Sequence, residues 1–380
     1  MTENRPTIAD IAAAAGVSKG AVSYALNGKP GVSAATRERI LAIARSLGWH
    51  PNRAARALSA GRAGAVGLLV DRPAWVLGVE PFFMQLISGL EAELARSGTA
   101  LLMQAIDGGE GDREAEEAAY RAWWGERRVD GAIIVDLGPD DYRLNLAAEL
   151  GMPAVAIGSP GRPLPPGVSA VSVDDGAGAR ETLEYLVALG HRRIARVAGP
   201  TRFLHTELRT TAVRSATREL GVPEPCTEYT DYTGEGGAHA TRRLLSGPVR
   251  PTAIVYDNDV MAVAALGVAH EMGFRVPADL SLVAWDDSAL CRLPHPALSA
   301  IDRRVPEYGE RAAAELIRLI GGGPGFGREV RLEPPPRLVP RGSTAPLAEP
   351  GRPGGPPAGG HRERPAGPVS AGAPDPVEGE

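Results

Sequence analysis

A chain of 380 residues that is 43% hydrophobic has material for two or three folded units and a sizeable core. No apolar run approaches the roughly 18 residues that span a bilayer, and the polar opening MTENRPTIAD lacks an apolar leader, so a soluble cytoplasmic protein is expected and a membrane protein is excluded. The net charge of −5 is unevenly placed: residues 1–62 hold nine Lys/Arg against three acidic residues, or +6, which leaves −11 for the rest. A basic head on an acidic body is the asymmetry of a head that meets phosphates. Cys226 and Cys291 have no CxxC or His-rich spacing around them, so unpaired thiols are expected, with no metal and no cofactor.

In chain order, Thr7 followed by Asp10 reads as a capping box with Asp in place of Glu, opening the helix TIADIAAAAG. Gly16 supplies the left-handed residue that ends it. Ser18 caps a second helix whose inward residues are Val22 and Ala25, and after the turn NGKPG, Ser33 caps ATRERILAIARSLG. Ile8, Ile11, Ala12, Ala15, Val17 and Val22 suit the core of a tight helix-turn-helix. The exposed first turn of the second helix, Lys19-Gly20-Ala21, is sparsely equipped for recognition; only Lys19 and later Tyr24 have reach.

Residues 63–343 alternate apolar runs with amphipathic stretches. Strands are predicted at 65–70, 100–106, 131–137, 153–158, 193–199, 252–257 and 280–287, with helical patterns such as FMQLISGLEAELARSG and GARETLEYLVALGH between them. Continuous apolar strands separated by helices indicate parallel sheets covered on both faces. There are too many for one ordinary doubly wound sheet, and PGRPLPPG (160–167) interrupts the run. Two αβ subdomains are therefore expected, with a ligand cleft beyond the carboxyl ends of the strands. The expected division is 63–160 plus about 293–322, and 161–292 plus about 323–343. Residues 344–380 are Pro/Gly-rich without periodicity and are expected to be disordered.

The segment TIADIAAAAGVSKGAVSYALNGKPGVSAATRERILAIARSLGWHPNRAARAL resembles, almost residue for residue over 7–58, the DNA-binding head of the LacI/GalR family of bacterial transcription regulators. The resemblance implies a helix-turn-helix over 1–50 whose second helix enters the major groove. Lys19, Gly20 and Tyr24 then take base-reading places, Ser23 and Asn27 fall at phosphate or base-edge positions, and Thr7, Ser18 and Arg37 anchor the backbone. Ala21 departs from the family's usual Thr. The stretch 51–62, containing NRAARALSAGR, matches the hinge that becomes helical on DNA and enters the minor groove. Leu58 corresponds to its wedging leucine, with Asn52, Arg53 and Arg56 beside it.

Residues 63–343 resemble the same family's effector domain, itself similar to periplasmic sugar-binding proteins, through RVDGAIIV, LGHRRIARVAGP, PTAIVYDNDVMAVAALGVAHEMGFRVPADLSLVAWDDS and PALSAID. By position the effector would meet Phe82, Phe83, Arg209, Tyr232, Asn258, Trp285 and Asp286; one of the two phenylalanines is equally suited to the core. Aromatic faces with Arg, Asp and Asn suit a polyhydroxylated ligand. Gly158 stands where some relatives have a pocket Asp, and Ala212 replaces the Gly of the family's RxxG.

The implied function is a sequence-specific transcriptional regulator, a repressor, controlled by a small-molecule effector of carbohydrate type. A homodimer on a near-palindromic operator is expected, because the Pro/Gly tail cannot form the heptads a tetramer needs. The alternative is a cytoplasmic solute-binding protein with a non-functional head. HExxH and P-loop motifs, and GxSxG or GxGxxG borne on a predicted strand, are missing, so no enzyme is expected. His191 reads as a structural group at a strand start, and His205, although beside Thr206 and Glu207, has nothing that pairs it with a nucleophile.

Overall fold

The structure, a computed structural model, describes residues 6–49, 62–106, 112–323 and 327–347. The expected hinge residues Asn52, Arg53, Arg56 and Leu58 and the tail beyond residue 347 lie outside these.

Three helices form the head: α1 (Ile8–Ala15), α2 (Lys19–Leu26) and α3 (Ala34–Ser46). Their boundaries follow local chemistry. Asp10 Oδ2 accepts from the Thr7 backbone N–H and from the Thr7 hydroxyl, both at 2.8 Å, which closes a capping box between Thr7 and Asp10. Ser18 Oγ and Ser33 Oγ accept from the N–H groups of Ala21 and Thr36, each at 3.2 Å. Gly16 closes α1 at φ 63°, where a Cβ would be strained. Ile11, Ala12, Ala15, Val22, Ala25, Ile40 and Ala44 form the buried core, with Ile8 and Val17 partly buried against it.

The body holds two six-stranded sheets. The strands β1 (Ala65–Val70), β2 (Ala100–Ala105), β3 (Ala132–Ile134), β4 (Ala154–Ile157), β5 (Val168–Ser172) and, far downstream, β11 (Glu329–Arg331) form the first, in the order β11-β5-β4-β3-β1-β2. The second comprises β6 (Ile194–Ala198), β7 (Cys226–Tyr229), β8 (Ala253–Tyr256), β9 (Ser281–Trp285), β10 (Ser299–Asp302) and β12 (Arg337–Val339), in the order β12-β10-β9-β8-β6-β7. Within these sheets β12 pairs antiparallel with β10, and the other pairings are parallel.

Each sheet is covered on both faces, as its apolar strands require. One face of the first buries Phe83 and Leu86 of α5 (Pro81–Ser97) with Ala312 and Leu316 of α13 (Val305–Ile320). The other buries Tyr120 and Trp123 of α6 (Arg113–Gly125) and Leu144 of α7 (Tyr142–Leu150). The second sheet lies between α8 (Asp175–Ala188) with α9 (Leu204–Leu220), and α10 (Gly234–Ser246) with α11 (Asp259–Glu271). The one-turn helices α4 (Val76–Val79) and α12 (Ala289–Arg292) complete the order among the described residues.

Sheet membership departs from the expected division at three places. Strand β5 belongs to the first sheet although it follows residue 160, β10 belongs to the second although it follows 292, and β11 returns to the first although it follows 322. The proline-rich PGRPLPPG is a loop within one sheet, joining β4 to its parallel neighbour β5. The chain crosses between subdomains after β5, after β10 and after β11. A local interruption of pattern marks a loop; it carries no information on which distant strand the next one pairs with. The folded chain also runs past the expected end at 343: the Ala345 N–H donates to Ser281 Oγ at 3.2 Å and the Leu347 N–H to the Leu189 carbonyl at 2.8 Å.

Candidate functional site: a helix-turn-helix face and an interdomain crevice

On α2, Lys19, Gly20, Tyr24 and the C-cap residue Asn27 are exposed and Ser23 is half-buried, whereas Val22 and Ala25 point into the core. The helical period thus gathers the expected contact residues on one outward face, with Ser18 at its start. The Tyr24 ring lies across Gly31, where a Cβ would stand 3.2 Å from it and φ is 115°. Asn27 Nδ2 donates back to the Ser23 carbonyl at 2.9 Å. Arg37 Nη2 donates to the Lys29 carbonyl at 2.6 Å, so this side chain pins the turn after α2.

In the body, each sheet has a point where strand order reverses: between β1 and β3 in the first, between β6 and β8 in the second. Such points leave a crevice outside the carboxyl ends of the strands. Arg72 follows β1 and Asp136 follows β3; their Nε–Oδ2 bond is 2.9 Å. Across the crevice, Phe203 and His205 follow β6 and Asp257 follows β8. The Arg72 guanidinium lies 4.6 Å from the Phe203 ring and 5.5 Å from that of Tyr232, so it bridges the subdomains. The Leu204 N–H donates to the Leu137 carbonyl at 2.8 Å, a second bridge.

Phe203, His205 and Tyr232 form a near-parallel stack, with centroids 5.4 to 6.4 Å apart. His205 Nε2 and the Tyr232 hydroxyl are 2.8 Å apart. The Tyr232 ring occupies the space a Cβ on Gly199 would need, 2.0 Å from its Cζ. Asp136, Tyr232 and Asp286 have left-handed backbones, at φ 53°, 71° and 69°. Strain of this kind costs about 1–3 kcal/mol per residue and gathers at functional sites; here it lies at strand ends facing one crevice.

The electrostatics are paired. Burial would raise the Asp257 carboxyl, but Arg196 and then Arg209 outweigh it and hold it below the usual range. Glu80 is pushed up to about 8, by burial first, with Arg72 opposing and Asp136, Asp286 and Asp259 adding to the rise. Burial, then Arg209, Arg303 and Arg72, keep His205 well below its ordinary value, so it is neutral at neutral pH. Two pockets flank the aromatic stack: one of about 180 Å³ reached by Gly158, Ser159, Asp175 and His205, and one of about 130 Å³ reached by Arg72, Arg202, Asp231 and Thr233.

A profile of the bacterial regulatory proteins of the lacI family matches residues 7–52, and one of the periplasmic binding protein-like domain matches residues 183–344. The HTH-type transcriptional regulator CelR of Thermobifida fusca is 33% identical over 320 residues, 84% of this chain and 93% of that protein. The regulator reg1 of Streptomyces lividans is 35% identical over 361 residues, 91% of this chain and 99% of that one. The chain belongs to the lacI family. It is a DNA-binding transcriptional regulator with a periplasmic-binding-protein-like body. Among solved structures, a CelR–cellobiose complex is 31% identical with a TM-score of 0.68, spanning 89% of this chain and 100% of that one. The lac repressor dimer bound to operator and the anti-inducer ONPF is 26% identical with a TM-score of 0.78, spanning 90% and 100%. The curated relatives are regulators, not enzymes. Among the described residues no helix is long and apolar enough to cross a membrane.

The regulator's crevice sorts the expected effector residues. Phe83 is fully buried in the core, while half-buried Phe82 lies edge-on to it at 5.5 Å and under the Arg303 guanidinium at 5.3 Å. Arg209 covers Trp285, 4.2 Å from the indole centroid, so the indole backs the arginine instead of offering a face. Asn258 caps α11 through Oδ1 and holds the Tyr232 carbonyl through Nδ2, both at 2.9 Å; it positions Tyr232. Asp286 is bonded to Arg303. His191 is structural: Nδ1 is 2.9 Å from Thr252 Oγ1 and Nε2 is 3.1 Å from the Ala345 carbonyl. Arg72, Asp136, Asp175, Phe203, Asp257 and Arg303 were not among the residues expected from sequence, and His205 was considered there but not expected to bind the effector. All but Phe203 and His205 lie within three residues of a predicted or observed strand end, which is the cue that could have found them.

Proposed function

We propose that this regulator acts in the cytoplasm as a repressor, a homodimer placing two heads on the half-sites of a near-palindromic operator. Its effector is a carbohydrate that enters the crevice between the subdomains. The observation that carries this reading is the bridge formed by Arg72: anchored to Asp136 on one subdomain, it lies against Phe203 and Tyr232 of the other. A ligand seated there changes the contacts that set subdomain spacing. By linkage, it alters operator affinity only as far as it prefers one arrangement over the other. Aromatic rings beside paired Arg and Asp groups suit the apolar faces and hydroxyls of a sugar.

The test is fluorescence anisotropy of the full chain on labelled DNA from upstream of its own gene, with and without saccharides. A near-palindromic fragment should bind at least 1,000-fold tighter than random DNA, in line with specific over non-specific binding of roughly 10³–10⁷. An effector should move that affinity about 5- to 150-fold. Equal binding to all sequences would overturn the regulator reading for this head.

A further inference from the structure

Four guanidinium groups converge on the crevice, and carboxylates already match each of them. Arg72 is bonded to Asp136 at 2.9 Å, with Glu80 3.9 Å away. Arg196 makes a two-pronged pair with Asp257, at 2.8 and 2.6 Å. Arg209 lies between Asp175 at 3.3 Å and Asp257 at 3.9 Å. Arg303 bonds Asp286 and lies 3.5 Å from Asp175. All four arginine side chains are less than a tenth exposed. At the rim, Arg331 pairs with Asp174 at 3.3 Å and Arg202 lies over the Phe203 ring at 4.5 Å.

From this pairing we infer that the effector is an uncharged polyhydroxylated compound, and that the crevice selects against phosphorylated or carboxylated sugars. The inference rests on the carbohydrate reading above and narrows it. A phosphate or carboxylate needs cationic donors with charge to spare. Here it would have to evict a resident carboxylate or lie beside one, and either leaves buried charge uncompensated. A hydroxyl brings one donor and two acceptor lone pairs and no net charge, so it can add to a carboxylate–guanidinium pair without breaking it. Two buried atoms fit such a partner: the Arg209 Nε–H donor and the Glu80 Oε2 acceptor have no hydrogen-bond partner among the described residues. The neutral His205–Tyr232 pair adds polar capacity without charge.

The experiment is isothermal titration of the full-length protein with matched probes: glucose, cellobiose and maltose against glucose 6-phosphate, 6-phosphocellobiose and maltose 6-phosphate. At least one neutral sugar should saturate, and its phosphorylated counterpart should bind 100-fold or more weakly. Asp175→Asn, which uncovers charge on Arg209 and Arg303, should shrink that preference at least tenfold. Should that variant fail to fold, Asp136→Asn uncovers Arg72 and makes the same prediction. A phosphorylated sugar binding as tightly as its neutral form, or a preference unchanged in the folded variants, overturns the inference but leaves the carbohydrate reading standing. Silence from every sugar, neutral and phosphorylated alike, overturns the carbohydrate reading itself.

Discussion

The head and the body solve recognition in opposite ways. The head keeps its interior apolar and small and displays a few polar side chains on one face of α2. The body buries its charges in matched pairs between two sheets and lines the gap with rings. Loss of a core side chain should therefore dominate in the head, and loss of a charge partner should dominate in the body.

The largest effect is expected in the body. Asp257 has no exposed side-chain surface and serves both Arg196 and Arg209. Asp257→Ala leaves two buried cations short of a partner, and breaking a buried pair costs about 3–5 kcal/mol. Urea unfolding followed by tryptophan fluorescence, which reports body residues such as Trp123 and Trp285, should show that loss. A cost below about 1 kcal/mol would mean that water reaches this cluster. The head's counterpart is Ile11→Ala, which removes a fully buried side chain from a small core. A loss of about 2–5 kcal/mol should abolish operator binding while leaving effector titrations of the same protein unchanged. If effector binding fell as well, head and body would not be the separable units this contrast describes.

A pH series sharpens the comparison next. Glu80 is raised to about 8 in the folded body from an ordinary value of 4.5. Its folded form therefore holds a proton that the unfolded chain has released. Its contribution is complete below pH 4.5 and falls, by an amount on the order of a few kcal/mol, as pH climbs to 8. Asp259, raised to about 7, acts in the same direction. Glu80→Gln should flatten this part of the body's stability profile, whereas Asp10 in the head, held low by its bonds to Thr7, acts only in acid.

The same contrast explains what could be read from sequence. The caps at Thr7, Ser18 and Ser33 and the turn at Gly16 are decided by residues within four positions, so the head was legible nearly to its side chains. Most strands of the body were legible too, because their apolar runs are local. Sheet membership was not: β5 and β11 pair across more than 150 residues, and no local pattern announces that. The short β7, β11 and β12, partly exposed at or near sheet edges, lack the apolar run that revealed the seven predicted strands, and the buried β5 and β10 were not predicted because serines break their short runs VSAVS and SAID. Asn258 and Asp286 were named from their match to the family's pocket; in the fold they stand at the ends of β8 and β9. Arg72 follows β1 in the same way, yet its role appears only once Phe203 and Tyr232 are brought opposite it. Trp285 was misleading for the same reason, since its cover by Arg209 comes from a separate helix.

The smallest effect concerns the division of work within DNA recognition. VSKGAVSYALNG presents Lys19 and Tyr24 as its long side chains, with Gly20 between them adding no reach. Truncating one base-reading side chain costs about 1–3 kcal/mol of discrimination, and Lys19→Ala should fall at the lower end, since lysine is a flexible point charge. Leu58, outside the described residues, matches the wedge of the family's hinge. Removing a wedge forfeits the bend that lets the rest of the protein reach the DNA. Leu58→Ala should therefore weaken operator binding more than Lys19→Ala does, while binding to random DNA changes less for Leu58→Ala than for Lys19→Ala. Anisotropy titrations of both variants on operator and random duplexes separate the two. If Lys19→Ala proved the costlier on the operator, sequence would be read chiefly by the face of α2, and the sparse helix would carry more of the recognition than its side chains suggest.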